Sequence, residues 1–128
     1  MNTTDPLELL RAWIAAVNAR DAEKVMSLYH EDAMLLPTFS PEVRHGLDRI
    51  QDYFTHVYTN DRVTVTLVEE TTTVQDLGNG VAVLGGLYNW VLEKDGVVRK
   101  PTARYTYCVD MKASRPILHH HSSALPEG

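Results

Sequence analysis

The densest run of chemically capable side chains lies near the end of the chain. Arg104-Tyr105-Thr106-Tyr107 is followed, after a turn at Ser114-Arg115-Pro116, by Ile117-Leu118-His119-His120-His121-Ser122-Ser123. A guanidinium can hold a carboxylate through two parallel hydrogen bonds. Imidazole titrates near neutral pH, and hydroxyls orient polar ligands. Both runs read as strands, and strands send alternate side chains to opposite faces. His119 and His121 therefore share one face and His120 takes the other. Arg104, Thr106 and Cys108 share a face of the neighbouring strand. The expectation is a cavity built around Arg104, Thr106, Tyr88, His120 and Ser122, with Tyr29 and Trp90 in its wall. Its ligand would be a small molecule bearing a carboxylate or a carbonyl.

Acid–base work needs a titratable group in a desolvated pocket. His120 and Asp32 are the two candidates for catalysis, although an aspartate following a helix commonly turns the chain. His119 and His121 have the spacing of a metal pair, but a catalytic zinc usually takes three protein ligands. No spacing motif supplies a third from His30, His45 or His56, so neither a metal nor a cofactor is expected. No glycine-rich dinucleotide loop is present. Cys108, the single cysteine, reads as a small core residue; it allows no internal disulfide and makes a reduced, cytoplasmic setting the default.

These residues need elements to position them. Asp5 or Thr4 can cap a first helix that has Pro6 in its first turn and an apolar stripe of Leu7, Leu10, Ile14 and Val17, with Trp13 beside it. Asp21 caps a second, shorter helix carrying Val25, Leu28 and Tyr29. Ala33 to Pro37 reads as a short strand and Pro37 to Pro41 as a loop. Val43 to Gly46 pairs back as a small strand, and a third helix carries Leu47, Ile50, Phe54 and Val57. From Arg62 the pattern turns to strand periodicity. Gly78-Asn79-Gly80 and Asp95-Gly96 mark hairpins, giving long strands over 81–93 and 97–111 and a last one after Pro116. Three helices followed by a four-stranded antiparallel meander make an α+β layout, and a bent sheet covered by helices leaves a cone-shaped hollow. The rings of Trp13, Tyr29, Tyr53, Phe54, Tyr88 and Trp90 are mostly core, and a cone lined by them suits a flat ligand.

The chain of 128 residues is the length of one domain, taken as 1–128. Its 12 basic against 17 acidic residues disfavour nucleic acid, which requires a basic surface. No apolar run approaches the ~20 residues of a membrane helix, and the polar start of the chain lacks the features of a signal peptide.

The order of elements resembles the NTF2-like, or cystatin-like α+β cone, superfamily. Within it the chain is similar to the association domain of calcium/calmodulin-dependent protein kinase II and to bacterial SnoaL-like and SgcJ/EcaC-type proteins. The resemblance runs through Tyr29, Asp32-Ala33, Gly46, Ala103-Arg104-Tyr105-Thr106-Tyr107, His120-His121-Ser122-Ser123 and Pro126. It implies three helices on a strongly curved antiparallel sheet. It also implies a homodimer or larger ring formed through the outer sheet face, and an inner pocket. In the kinase domain that pocket holds arginines able to receive a carboxylate. Arg104 falls on one such position, whereas two others are Tyr88 and Ser122 here. Arg115 stands where the bacterial relatives carry a tryptophan. Any activity the resemblance implies is cofactor-independent acid–base chemistry of the SnoaL or ketosteroid isomerase type. The alternative it offers is a non-catalytic oligomerisation module.

Overall fold

The computed structural model describes residues 3–126. Helix α1 (Pro6–Asn18) starts as the sequence predicts, with the Asp5 carboxylate accepting from the Leu7 backbone N–H at 2.9 Å. Helix α2 (Ala22–Ser27) is capped in the same way by Asp21, which accepts from the Lys24 N–H at 3.0 Å. Strand β1 (Tyr29–Leu36) follows directly, so Tyr29 opens a strand rather than closing the second helix. Two-residue strand β2 (Arg44–His45) pairs back on β1. Helix α3 (Leu47–Val57) then begins at Gly46, whose φ of 86° is a backbone conformation that glycine adopts without strain.

The rest is sheet. β3 (Arg62–Leu67) leads through a 3₁₀ turn (Glu69–Thr71) into β4 (Thr73–Gly78), and Gly78-Asn79-Gly80 turns the chain into the long β5 (Val81–Lys94). The expected strand over 97–111 is two strands, β6 (Val97–Arg99) and β7 (Thr102–Asp110), separated at Pro101, which has no N–H for a ladder. β8 (Ile117–Ala124) is last. The spatial order is β2-β1-β8-β7-β5-β3, with β4 and β6 also paired to β5. All pairings are antiparallel except β1 with β8, which run parallel.

The sheet curls around α1 and α3. From α1, Leu9, Leu10, Trp13, Ala16 and Val17 are buried, a stripe turned slightly from the expected one, so that Leu7 and Ile14 lie at its edge. Helix α3 contributes Ile50, Tyr53, Phe54 and Val57. Trp13 is the hub. Its ring meets those of Phe54, Tyr88, Trp90, Tyr107 and His120 at centroid separations of 5.3–6.4 Å. Gly86 has a specific steric reason: a Cβ there would stand 2.8 Å from the Tyr105 hydroxyl and 3.0 Å from the Thr71 carbonyl oxygen. Among the described residues, no helix is long and apolar enough to cross a membrane.

Candidate functional site

The register of the last two strands decides which side chains meet. Tyr105 lies opposite Ser122 and Tyr107 opposite His120, whereas Arg104 faces Ser123, Thr106 faces His121 and Cys108 faces His119. Tyr105, Tyr107, His120 and Ser122 are buried in the cone, and Arg104, Thr106 and His121 are exposed on its outside. The expected cavity therefore divides. Tyr88, His120, Ser122, Tyr29 and Trp90 come together inside. Arg104 and Thr106 do not join them, because the two large tyrosines on β7 take the inward positions. Asp32 is also apart from the cone interior. Its carboxylate is exposed and sits 2.7 Å from His45 Nε2, across the β1–β2 pair.

Inside, Trp13, Tyr29, His120, Tyr88, Ser122 and Thr38 form one continuous hydrogen-bonded chain, and the buried Tyr107 hydroxyl stays outside it, without a partner among the described residues. The Trp13 indole N–H donates to the Tyr29 hydroxyl oxygen at 3.1 Å. The Tyr29 hydroxyl lies 2.8 Å from His120 Nδ1, and His120 Nε2 lies 3.2 Å from the Tyr88 hydroxyl. Tyr88 donates to Ser122 Oγ at 2.6 Å, and Ser122 bonds closely to Thr38 Oγ1.

Donor arithmetic gives this chain a direction. An indole nitrogen can only donate, so Tyr29 accepts from Trp13. The Tyr29 O–H, wholly buried, then has His120 Nδ1 as its acceptor. The neutral imidazole must carry its proton on Nε2 and donate to Tyr88. Tyr88 has to accept there, because its own proton goes to Ser122. Both ends assign the same tautomer. Ser122 and Thr38 share one further bond in which either hydroxyl can donate, and the second proton of the pair is left for the mouth as the outlet.

The electrostatics agree. Burial pushes His120 well down from the ordinary imidazole range, and neighbouring His119 and His121 add to the effect. Burial likewise pushes the Tyr29 and Tyr88 phenols up, so both hydroxyls keep their protons. The His120 ring is stacked on Tyr107 at 3.9 Å between centroids, with Trp13 edge-on at 5.3 Å. A neutral, clamped imidazole with both nitrogens engaged is a hydrogen-bond relay, and no lone pair is left on it to take a proton from a ligand.

The outlet lies at the cone mouth. A cavity of about 10 Å³ is enclosed by Trp13, Tyr53, Phe54, Tyr88, Trp90, His120, Ser122 and Thr38 among others. Over the mouth runs the loop Pro37–Pro41, which sets the Phe39 ring at right angles to Trp90, 5.4 Å between centroids. Larger clefts of about 560 Å³ and 280 Å³ flank this loop, and Thr38 lines both of them as well as the inner cavity. Sequence reasoning missed Thr38, Phe39 and Tyr107 as site residues and took Trp13 only as core. The signals available were the two prolines bracketing a short loop beside the cone and the period-two placement of Tyr105 and Tyr107. No three histidine, cysteine or carboxylate side chains converge on a metal position among the described residues.

The comparisons with known proteins agree with this architecture. A protein from Xanthomonas campestris described as a calcium/calmodulin dependent protein kinase II association domain is 35% identical, with a TM-score of 0.84 over 95% of this chain and 86% of that one. A protein from Streptomyces avermitilis described as a dehydratase of the NTF2-like family is 13% identical, with a TM-score of 0.80 over 94% of each chain. A ketosteroid isomerase-like protein from Erwinia carotovora atroseptica is 14% identical, with a TM-score of 0.77 over 94% of each chain. At these last two identities the likeness is one of fold. No protein of curated function matches the sequence. The profile of the calcium/calmodulin dependent protein kinase II association domain family spans residues 3–126, and the chain belongs to that family, with the NTF2-like α+β cone fold.

Proposed function

We propose that this protein binds a small carbonyl-bearing molecule at the mouth of the cone, with the Ser122–Thr38 hydroxyl pair, polarised from behind by Tyr88, donating to the ligand oxygen. The observation that carries the reading is the direction of the buried chain. The links from Trp13 to Ser122 donate toward the mouth, where the Ser122–Thr38 pair shares one bond and keeps one O–H to offer to an acceptor. Hydrogen bonds aligned head to tail in a low-dielectric interior reinforce one another, which strengthens the last donor. Tyr88 and Ser122 occupy two positions that the resemblance matches to arginines, and Arg104, at the third, is exposed on the far side of the sheet. Neutral donors in place of cations favour a carbonyl over a carboxylate.

Such a chain can polarise a carbonyl and stabilise charge developing on its oxygen. The relatives described as a dehydratase and as isomerase-like fit a site of this kind. Among the described residues no carboxylate lines the inner cavity, so the chemistry supported is polarisation by donors. Self-association belongs to the same reading. The outer face of β1, β5, β7 and β8 carries Met34, Leu36, Val83, Leu87 and Cys108 partly exposed, an apolar stripe suited to a second copy.

Ligand-detected NMR with cyclohexanone, a carbonyl on a saturated ring, tests the site. Ser122→Ala should weaken cyclohexanone binding about tenfold, equivalent to ~1.4 kcal/mol, while Arg104→Ala leaves it unchanged. Equal affinity in wild type and Ser122→Ala would refute the reading.

A further inference from the structure

Trp90 carries a donor that the fold does not use. The residue is 4% exposed, and its indole N–H has no hydrogen-bond partner among the described residues. Such an atom is costly to leave unpaired, and native interiors rarely do so without a reason. Trp13, the other tryptophan, donates to Tyr29 at 3.1 Å. The Trp90 ring lines the inner cavity together with Ser122 and Thr38, the last links of the donor chain.

Beside this unpaired donor sits Phe39. Its ring meets Trp90 edge-on, and it is delivered by a loop bracketed by Pro37 and Pro41 and only partly buried against the core. The remaining walls are largely the rings of Trp13, Tyr53, Phe54, Tyr88 and His120, with Leu35 and Pro37 between them. About 10 Å³ of space can hold one water and no organic ligand. Yet clefts of about 560 Å³ and 280 Å³ lie on either side of the loop. Phe39 lines the larger cleft and packs on Trp90, a wall of the inner cavity, so its outward movement would open that cavity toward the larger cleft as a ring-sized site.

We infer that Phe39 is a built-in occupant of the ligand site, and that the molecule displacing it is a planar aromatic ring bearing a hydrogen-bond acceptor, read by the Trp90 indole N–H. The inference rests on the proposed carbonyl site and narrows its ligand class. The ring replaces Phe39 against Trp90, and the acceptor satisfies a donor that phenylalanine, having no polar atom, cannot. Trp90 is thus a specificity-determining residue: aromatic walls accept any flat apolar ring, and the indole N–H selects those with an acceptor.

The test uses acetophenone and ethylbenzene, two rings of similar size of which only the first carries an acceptor. With ¹⁵N-labelled protein the two indole N–H resonances are resolved separately and assigned from Trp90→Phe. Phe39→Ala should bind acetophenone at least tenfold more tightly than wild type. Acetophenone should move the Trp90 indole resonance downfield and leave that of Trp13 nearly still, while ethylbenzene should not shift Trp90 downfield. Trp90→Phe in the Phe39→Ala background keeps an aromatic wall and should lose the preference for acetophenone. A still Trp90 resonance at saturating acetophenone, or equal affinity for the two probes in Phe39→Ala, would overturn the inference. Cyclohexanone binding that remains sensitive to Ser122→Ala would then show that the carbonyl site itself stands. A dispersed ¹⁵N spectrum of each variant verifies folding.

Discussion

The two faces of strands β7 and β8 are built from interleaved residues and behave in opposite ways. On the inner face Tyr105, Tyr107, His120 and Ser122 are buried, and the imidazole has both nitrogens engaged. On the outer face Arg104, Thr106 and His121 are exposed, and none of them makes a side-chain hydrogen bond within the described residues. Three consecutive histidines thus occupy two different environments. Chemical capability in a residue type does not locate a site. What distinguishes His120 from its neighbours is the company it keeps, two phenols, an indole and a stacked tyrosine ring, which desolvate it and fix its protons.

The largest expected effect compares adjacent histidines. His120→Ala removes a stacked ring and strands two buried phenol hydroxyls, so it should destabilise by about 3 kcal/mol or more in denaturant unfolding. His121→Ala, one residue away and exposed, should stay within about 0.5 kcal/mol of wild type. Equal losses at the two positions would break the distinction between the faces.

Next is steric closure at Gly86. Gly86→Ala forces a Cβ to within 2.8 Å of the Tyr105 hydroxyl, and overpacking of this kind costs about 1–3 kcal/mol. Ala in place of Gly85, the outward neighbour, should cost less, because its Cβ would meet nothing nearer than the Tyr105 carbonyl oxygen at 3.7 Å. The midpoints of thermal or urea unfolding should separate the two variants.

The third prediction concerns pH. The groups packed around His120, namely Trp13, Tyr29, Tyr88 and Tyr107, are all uncharged near neutrality, and burial lowers the imidazole pKa in the folded state. The unfolded chain gains a proton at His120 as pH falls through about 6.5, while the folded chain resists it. Stability is therefore fully present above that value and declines below it. The slope is up to ~1.4 kcal/mol per pH unit until the folded pKa is reached. His120→Gln should flatten the profile of unfolding free energy between pH 7.5 and 5, and an unchanged slope would contradict the assignment.

The smallest effect is expected at Asp32. Its bond to His45 is largely solvent-exposed on both sides, so Asp32→Asn should change stability by less than about 0.5 kcal/mol. It should also leave cyclohexanone binding intact. A marked loss of binding would return Asp32 to the site.

Much of the fold was legible because its signals are local. Asp5 and Asp21 cap as their positions predict, Gly78-Asn79-Gly80 and Asp95-Gly96 turn hairpins, and apolar spacing locates α1 and α3. Tyr29 misled because Val25, Leu28 and Tyr29 fit a helical stripe, while the chain leaves the helix at Leu28 to pair with β8. β4 gave no periodic signal because all six of its residues are exposed. Alternation grouped Arg104 with Thr106 and Cys108 correctly, but it cannot say which group faces inward. That choice follows from burying the Tyr105 and Tyr107 rings, a matter of packing rather than polar chemistry. The full relay was beyond reach for a related reason: Trp13, Thr38 and Tyr88 come from three separate elements and meet only when the sheet curls.

The most direct test of the central claim is the protonation state of His120, read by long-range ¹H–¹⁵N correlation of the imidazoles and assigned among the six histidines with His120→Gln. A neutral ring with its proton on Nε2 and a bare Nδ1, persisting well below pH 6.5, is the result that a donor chain running from Trp13 to Ser122 requires. A proton on Nδ1, or an imidazolium forming near the ordinary pKa, would mean that the chain does not point toward the mouth.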